Sequence, residues 1–299
     1  MPKIVNKVSV GSSIKQMEIH APEVAKKAQA GQFVIVRIDE YGERIPLTIA
    51  DANPDKGTIE IVFLEVGATT KRLGCLEVGD EIKDLLGPLG LPSEMGKFGN
   101  VVCVGGGVGI APLYMLAKAY KAHGNKVTTI IGARTKELLI FEDRLRNVSD
   151  ELYVTTDDGS YVRKGFVTTV LKELLEDKTR PKPELVMAVG PVVMMKAVSE
   201  LTKNYEVRTL VSLNPIMVDG TGMCGACRVS VGGETKFACV HGPDFDGHKV
   251  DFKQLMSRLT QYAEQEKISL ERYNETVKMK SKTGTGSEKG IHKGGCCCQ

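Results

Sequence analysis

The most specific chemistry in this 299-residue chain lies in one aspartate and three cysteines. Asp219 is followed by Gly220-Thr221-Gly222-Met223, then Cys224, Gly225-Ala226 and Cys227, and Cys239 comes after eleven further residues. Read as ligands they give D-x4-C-x2-C-x11-C. That is the C-x4-C-x2-C…C spacing of a [2Fe–2S] site with Asp in place of the first Cys. Thiolates are soft donors suited to iron–sulfur chemistry. Gly220, Gly222 and Gly225 let the backbone bend closely and turn its amides toward a cluster's sulfides. Zinc would also accept three thiolates and one oxygen. Structural zinc usually draws on two close ligand pairs, however, and only Cys224 and Cys227 form one here. Asp219 has two readings, as fourth ligand and as the first residue of an Asp-Gly turn.

A second chemistry rests on glycines. Val104-Gly105-Gly106-Gly107-Val108-Gly109-Ile110-Ala111-Pro112 ends an apolar strand and opens a helix. There the backbone could approach a dinucleotide closely, and the helix N-terminus offers amides to pyrophosphate. Gly107, Gly109, Ala111 and Pro112 are the candidates. Gly132-Ala133-Arg134, the acidic pair Asp157-Asp158, and Gly190-Pro191 with Met194 follow later strands and would line the same sheet edge. Asp157 and Asp158 favour ribose hydroxyls over a 2′-phosphate, whereas Arg134 and Lys136 could pair with that phosphate. The expectation is NAD(H).

A third group lies near the N-terminus. Arg44-Ile45-Pro46-Leu47-Thr48 combines a cation, a rigid turn and a hydroxyl. The strand end Val62-Phe63-Leu64 leads to Gly67, Thr69 and Thr70. An arginine fork matches a diphosphate, and hydroxyls and amides could hydrogen-bond a flavin ring. The plain alternative is a surface turn bearing an exposed arginine.

These residues need elements to hold them. Residues 1–96 read as short β-branched strands, among them 32–38 and 58–64, which suggests a small antiparallel barrel. Gly87 to Pro92 breaks regular structure and reads as a linker. From 97 to 211 strands alternate with helices: strands over 100–104, 126–131, 152–156, 185–189 and 207–211, and helices over 111–122, 138–145, 167–175 and 192–205. That alternation predicts a parallel α/β sheet with right-handed crossovers. The cluster segment spans 212–250 and contains a hairpin turning at Gly232-Gly233. Residues 251–280 read as a charged helix with an apolar stripe of Leu255, Leu259, Tyr262 and Ala263. Residues 281–299 read as a disordered tail.

Composition fits a soluble globular protein, with 42% hydrophobic and 26% charged residues. A net charge of +3 argues for neither nucleic acid nor a membrane surface. The longest apolar run, 185–195, is broken by Gly190-Pro191, and residues 1–7 contain no apolar signal-peptide region. Of eight cysteines, three make the metal motif, Cys75 and Cys103 stand apart, and Cys296-Cys297-Cys298 cluster near the C-terminus. This is not a disulfide framework and points to the cytoplasm.

Together these motifs resemble the ferredoxin–NADP reductase superfamily over residues 1–250. R-I-P-L-T resembles its flavin motif, G-G-G-V-G-I-A-P its nicotinamide motif and V-G-P-V-V-M-M its C-G-P-x-x-M-M motif, with Val189 where a Cys often stands. The cluster segment resembles that of dihydroorotate dehydrogenase electron-transfer subunits. Closer still, 213–224 resembles the small subunits of NADH-dependent ferredoxin:NADP oxidoreductases. The dihydroorotate type carries four Cys where this chain has Asp219 and three. The resemblance implies FAD in the barrel with Thr48 beside the reacting ring, NAD(H) on the α/β domain and one [2Fe–2S] cluster. It implies an electron-bifurcating oxidoreductase working with a larger flavin and [4Fe–4S] subunit, and through that subunit with ferredoxin. The alternatives are an electron-transfer subunit of dihydroorotate dehydrogenase and, of another class, a zinc-stabilised or redox-sensing binding module.

Overall fold

The computed structural model describes residues 1–283. Its first part contains β1 (Lys3–Gly11), β2 (Ile14–His20), α1 (Pro22–Ala25), β3 (Phe33–Arg37), β4 (Ile45–Asn53), β5 (Thr58–Leu64), α2 (Ala68–Gly74) and β6 (Asp84–Leu89). The strands pair antiparallel in the order β1-β2-β5-β4-β3-β6. The ends then meet. Lys3 bridges Glu81, Ile4 N donates to Asp80 O at 3.0 Å and Ile82 N donates to Pro2 O at 2.9 Å. Closure removes the open edges a sheet would otherwise expose. Met17, Ile19, Val34, Ile49, Ile61 and Phe63 fill the barrel.

The second part contains β7 (Asn100–Gly106), α3 (Ile110–Ala122), β8 (Lys126–Ala133), α4 (Glu142–Val148), β9 (Glu151–Thr156), α5 (Val167–Glu176), β10 (Leu185–Val189), α6 (Val192–Asn204) and β11 (Thr209–Ser212). Then come β12 (Arg228–Val231), β13 (Glu234–Phe237), α7 (Ala238–His241), β14 (Asp244–Asp246), α8 (Phe252–Leu259) and α9 (Ala263–Thr283). The large sheet has the order β14-β11-β10-β7-β8-β9, parallel except for β14. Strand order reverses between β7 and β10, which is where open α/β sheets bind ligands. Helices cover both faces, so central strands are apolar throughout. Every residue of β10 is buried.

Several boundaries differ from expectation. The helix expected over 138–145 begins only at Glu142, because Phe141 adopts a left-handed conformation (φ 60°) after a 3-10 turn. The strand expected from Val207 begins at Thr209, after a turn at Glu206 (φ 52°). The single helix expected over 251–280 is two, α8 and α9, broken at Thr260–Tyr262. Its apolar stripe stops with α8: Leu255 is buried, but Tyr262 is 44% exposed. Residues 281–283, expected to start the tail, close α9, whereas 284–299 with Cys296–Cys298 lie outside the described residues. The expected hairpin is β12–β13. The strand β14 was not expected. It adds an antiparallel edge to the parallel sheet by pairing Ser212 with Asp244, which ties the cysteine segment to the α/β part.

Asp244 lies where barrel linker, sheet and cysteine segment meet. Ser93 Oγ of the linker donates to its Oδ2, Leu91 N donates to Gly242 O at 2.6 Å and Leu213 N to Pro243 O at 2.9 Å. Its Oδ1 is buried without a partner among the described residues. Burial pushes this carboxyl above the ordinary carboxylate range, against the lowering effect of hydrogen bonds from Ser93 and Ser212. The unfolded chain therefore gives up this proton first as pH rises above about 3.9, and stability is lost until the folded carboxyl also ionises. Asp244→Asn keeps the shape and cannot ionise. Its melting temperature should match wild type near pH 4 and exceed it progressively toward neutral pH. Parallel melting curves across that range would contradict this account of Asp244.

Candidate functional site

At the switch point, glycines allow two loops to interlock. A Cβ on Gly109 would lie 2.6 Å from Val189 O and 2.7 Å from Gly190 Cα. One on Gly106 would lie 2.5 Å from Met194 Sδ, and one on Gly190 3.0 Å from Gly106 O. Here backbone meets backbone, and Met194 serves to cover Gly106. Gly107 differs: it has φ +55° and nothing within 4 Å of where its Cβ would be. It faces open space in the turn Gly107–Gly109 that leads into α3, and that open backbone turn at a helix N-terminus fits a pyrophosphate. Ala111 is fully buried, so only its backbone is available, and Pro112 is half-buried. Gly132 turns out to be a packing glycine, since its Cβ would lie 2.6 Å from Val167 Cγ1 of α5.

Ala133 is buried, whereas Arg134, Asp157, Asp158 and Pro191 are exposed along this edge. The first two loops are tied together. Asp157 N donates to Ala133 O at 3.0 Å and Asp158 N to Arg134 O at 3.3 Å. The Asp158 carboxylate accepts from Ser160 N at 2.9 Å, and hydrogen bonds from Ser160 hold it below the ordinary range. Lys136 Nζ sits 4.9 Å from the centre of the Tyr161 ring, a cation–π position that draws this lysine toward the ring.

On the barrel, strand alternation sorts the flavin candidates. Phe33 pairs with Thr48 and Ile35 with Pro46, so these four share one face of the β3–β4 pair. Phe33 and Ile35 belong to a core shared with the cysteine segment, so this face is the outer one. Leu47 packs on the barrel core and Phe63 lies within it. Their side chains therefore point away from the outer face, and only their backbones could meet a cofactor there. Val62 and Leu64 point the other way, against the core formed with α3. Arg44 is exposed. At the start of α2, Thr70 Oγ1 accepts from Gly67 N at 3.1 Å, and the buried Thr69 hydroxyl donates to Glu43. Both hydroxyls and the Gly67 amide are engaged locally, which leaves the backbone amides of 68–70 as the donor set.

The cysteine loop packs on the same outer face. A Cβ on Gly220 (φ +78°) would lie 2.7 Å from Leu89 Cδ1 and 2.9 Å from Ile35 Cγ1, so only glycine lets the loop come this close. Cys227 and Cys239 are buried with their sulfurs 3.2 Å apart, and Cys224 is exposed at the rim. Ala226 N donates to Cys224 Sγ and Cys239 N to Cys227 Sγ, each at 3.5 Å. Burial, then the neighbouring Cys227, push the Cys239 thiol up to about 12. Asp219 Oδ1 accepts from Thr221 N at 2.6 Å and Oδ2 from Cys224 N at 2.7 Å, and these bonds lower its pKa. Asp219 therefore does shape the turn. A carboxylate has about four acceptor directions, so two amides leave capacity for a metal. Among the described residues no three His, Cys, Asp or Glu side chains are already gathered around an ion position. The chemistry of the donors, with thiols paired and amides aimed at sulfur, nevertheless fits an iron–sulfur cluster.

Sequence reading missed the role of Phe33 and Ile35. The run 32–38 was apolar on both faces, a sign that the outer face of β3 is also covered.

A closed antiparallel barrel, a parallel sheet with an open glycine cradle at its switch point and a thiol-bearing loop between them define a class. It is that of ferredoxin-reductase-like oxidoreductases with an appended iron–sulfur segment. Residues 103–200 match the oxidoreductase NAD-binding domain, and 214–251 match the iron–sulfur cluster binding domain of dihydroorotate dehydrogenase B. A homologue of the dihydroorotate dehydrogenase B electron transfer subunit from Thermotoga maritima is 52% identical, covering 92% of this chain and 96% of that protein. The corresponding subunit from Shouchella clausii is 34% identical over 81% of this chain and 94% of its own length. Among solved structures, an NADH-dependent reduced ferredoxin–NADP oxidoreductase studied for flavin-based electron bifurcation is 51% identical with a TM-score of 0.86. It covers 91% of this chain and 98% of that one. The chain belongs to the family of dihydroorotate dehydrogenase B electron transfer subunits and their homologues. It is an oxidoreductase subunit whose cofactors are NAD(H), a flavin and an iron–sulfur cluster. No helix among the described residues is long and apolar enough to cross a membrane.

Gly109→Ala places a methyl group against the Val189 carbonyl. It should weaken NADH binding about tenfold or more and lower the melting temperature by several degrees. Unchanged NADH affinity in titration calorimetry would show that the interlock does not shape the nucleotide site.

Proposed function

We propose that this chain is the small subunit of an electron-bifurcating NADH-dependent ferredoxin:NADP oxidoreductase. What carries this reading is likeness over nearly the whole length to a solved protein of that activity. Asp219 in the position of a fourth Cys supports it over the dihydroorotate type, whose electron transfer subunits are also relatives. In this reading FAD lies along the outer face of β4, and NAD(H) occupies the cradle at Gly107. A [2Fe–2S] cluster takes Asp219, Cys224, Cys227 and Cys239. When bound, the flavin supplies conversion between hydride and single electrons, and the cluster carries single electrons onward.

The residues of this chain bind and orient. Thr48 and Pro46 face the flavin ring, with the Thr48 hydroxyl available to hydrogen-bond it. Arg44 and the amides of 68–70 hold the diphosphate that distinguishes FAD from FMN. The backbone of Gly107 to Gly109, at the N-terminus of α3, receives the dinucleotide pyrophosphate, and Asp157 and Asp158 favour NAD(H) over NADP(H). Phe33 and Ile35 keep water out between flavin and cysteine loop. The partner is a larger subunit with a second flavin and [4Fe–4S] clusters. It would oxidise NADPH, send one electron to ferredoxin and the other to this chain. The cell compartment is the cytoplasm.

Two measurements test this reading. Cys224→Ala, Cys227→Ala and Cys239→Ala should each abolish the cluster's electron paramagnetic resonance signal. Asp219→Cys should keep a signal at lower potential, because oxygen releases less electron density than thiolate. An unchanged spectrum and potential in Asp219→Ala would assign the fourth ligand elsewhere. The purified chain alone should reduce artificial acceptors with NADH yet fail to couple NADPH oxidation to ferredoxin reduction. Coupling by the isolated chain would overturn the partner assignment.

A further inference from the structure

Barrel and nucleotide-binding sheet meet through a second contact that no cofactor motif explains. Asp51 of β4 and Glu60 of β5 stand opposite each other in register, so two carboxylates share one patch. Arg144 of α4 crosses from the other part of the molecule to both. Its Nη1 donates to Glu60 Oε1 at 2.6 Å and its Nη2 to Asp51 Oδ2 at 3.2 Å. The guanidinium carbon lies 4.1 Å from the ring centres of both Tyr114 and Phe141. Lys118 Nζ sits 3.1 Å from Asp51 Oδ1, and Gln16 Nε2 donates to Glu60 Oε2 at 2.8 Å. A planar fork that bonds at its edge and stacks on its faces is a contact lysine cannot reproduce.

Phe141 occupies the left-handed region (φ 60°, ψ 19°), which a bulky residue rarely adopts and which is strained. That conformation starts α4 at Glu142, two residues before Arg144, and accompanies the ring's position against the guanidinium. Around the arginine the contact is apolar, with Ile14, Ala50 and Val62 of the barrel against Ile110 and Leu113, and the directional bonds at Asp244 and Gly242 hold the linker after β6 rather than β4 and β5. Apolar burial resists separation but has no direction, so it sets no angle between the two parts. Directional bonds do.

We infer that Arg144 is the latch that sets the angle between barrel and nucleotide domain, and thereby positions nicotinamide against flavin. It is a positioning residue, touching neither cofactor. The inference rests on the reading above that flavin lies along β4. In the step concerned, NADH loses a hydride (two electrons and one proton) to FAD and leaves as NAD+. The latch grips β4 and β5 beside α3, whereas the cysteine loop seats on the outer face of β3. Because the loop rests on the barrel that would carry the flavin, the latch acts chiefly on hydride transfer and much less on electron exchange between flavin and cluster.

The test uses the full chain with its cofactors, as wild type, Arg144→Gln, Arg144→Lys and Glu60→Gln. Stopped-flow absorbance reads the limiting rate of flavin reduction and its dependence on NADH. Rapid-freeze paramagnetic resonance reads flavin–cluster equilibration after dithionite, and visible circular dichroism reads the flavin's surroundings. Arg144→Gln should slow flavin reduction about tenfold or more, since small misplacements of reacting groups cost this much. Half-saturation by NADH should shift by about threefold at most, because the nucleotide cradle is untouched. The flavin dichroism should change, Arg144→Lys should recover only part of the rate, and flavin–cluster equilibration should stay close to the wild-type rate. An unchanged reduction rate in flavin-loaded Arg144→Gln overturns the latch, as does equal slowing of both reactions. If Arg144→Gln does not fold, Glu60→Gln decides: it removes one charge at constant shape, and unchanged flavin reduction there counts against the latch. Failure of NADH to reduce flavin in the wild-type chain would instead sink the underlying reading.

Discussion

At Phe33 and Ile35 the outer face of β3 is closed to solvent, and the arrangement of the molecule depends on what covers it. Phe33 and Ile35 are each 3% exposed, although a barrel strand needs only its inner face buried. The cover comes from far along the chain: Met217, Cys227, Cys239 and Phe245 share one core with these two residues. The thiol-bearing loop is therefore fastened to the barrel as well as to the sheet that precedes it. Gly220 permits the close approach, and β14 returns the chain to the sheet edge. If apolar burial contributes roughly 25 cal/mol per Å², two aromatic and aliphatic side chains are worth about 3–5 kcal/mol in such a seam. That is a substantial share of a typical domain's net stability.

Each of the three sites is held by a different kind of contact. Non-directional burial holds the cysteine loop. The nucleotide cradle is set by backbone crossing backbone at Gly109 and Gly190, where no side chain fits. Barrel and sheet are oriented by a charged, stacked arginine between two carboxylates. The division makes physical sense. Phosphate recognition needs exposed amides, a cluster needs exclusion of water, and an angle between two rigid bodies needs bonds with direction.

How much of this was readable in the sequence depends on the range of the interactions concerned. β10 and the start of α3 were legible because a strand covered on both faces is apolar throughout and glycines mark the turn that follows. The hairpin at Gly232-Gly233 was legible for the same local reason. The spacing of Asp219 with the three cysteines was legible as chemistry, and its turn-forming role was equally visible in the Asp-Gly pair. The facing of Leu47 and Phe63 could have been read from alternation, since each flips relative to its neighbours. What could not be read was long-range. Nothing near Asp244 announces an edge strand, and nothing near Arg144 announces two carboxylates more than eighty residues earlier. The left-handed Phe141 delayed α4 against its own helical pattern, and the break at Thr260 carries neither Gly nor Pro.

The central claim is that one chain holds a flavin and an iron–sulfur cluster in contact with a single nicotinamide site. An anaerobic titration of the purified chain with NADH, followed together by visible absorption and paramagnetic resonance, tests it most directly. The account predicts bleaching of bound flavin and appearance of a reduced-cluster signal in the same protein, with total electron uptake equal to one flavin plus one cluster. A protein that carries zinc and no iron, or whose cluster stays oxidised while its flavin is fully reduced by NADH and equilibrated, would contradict it.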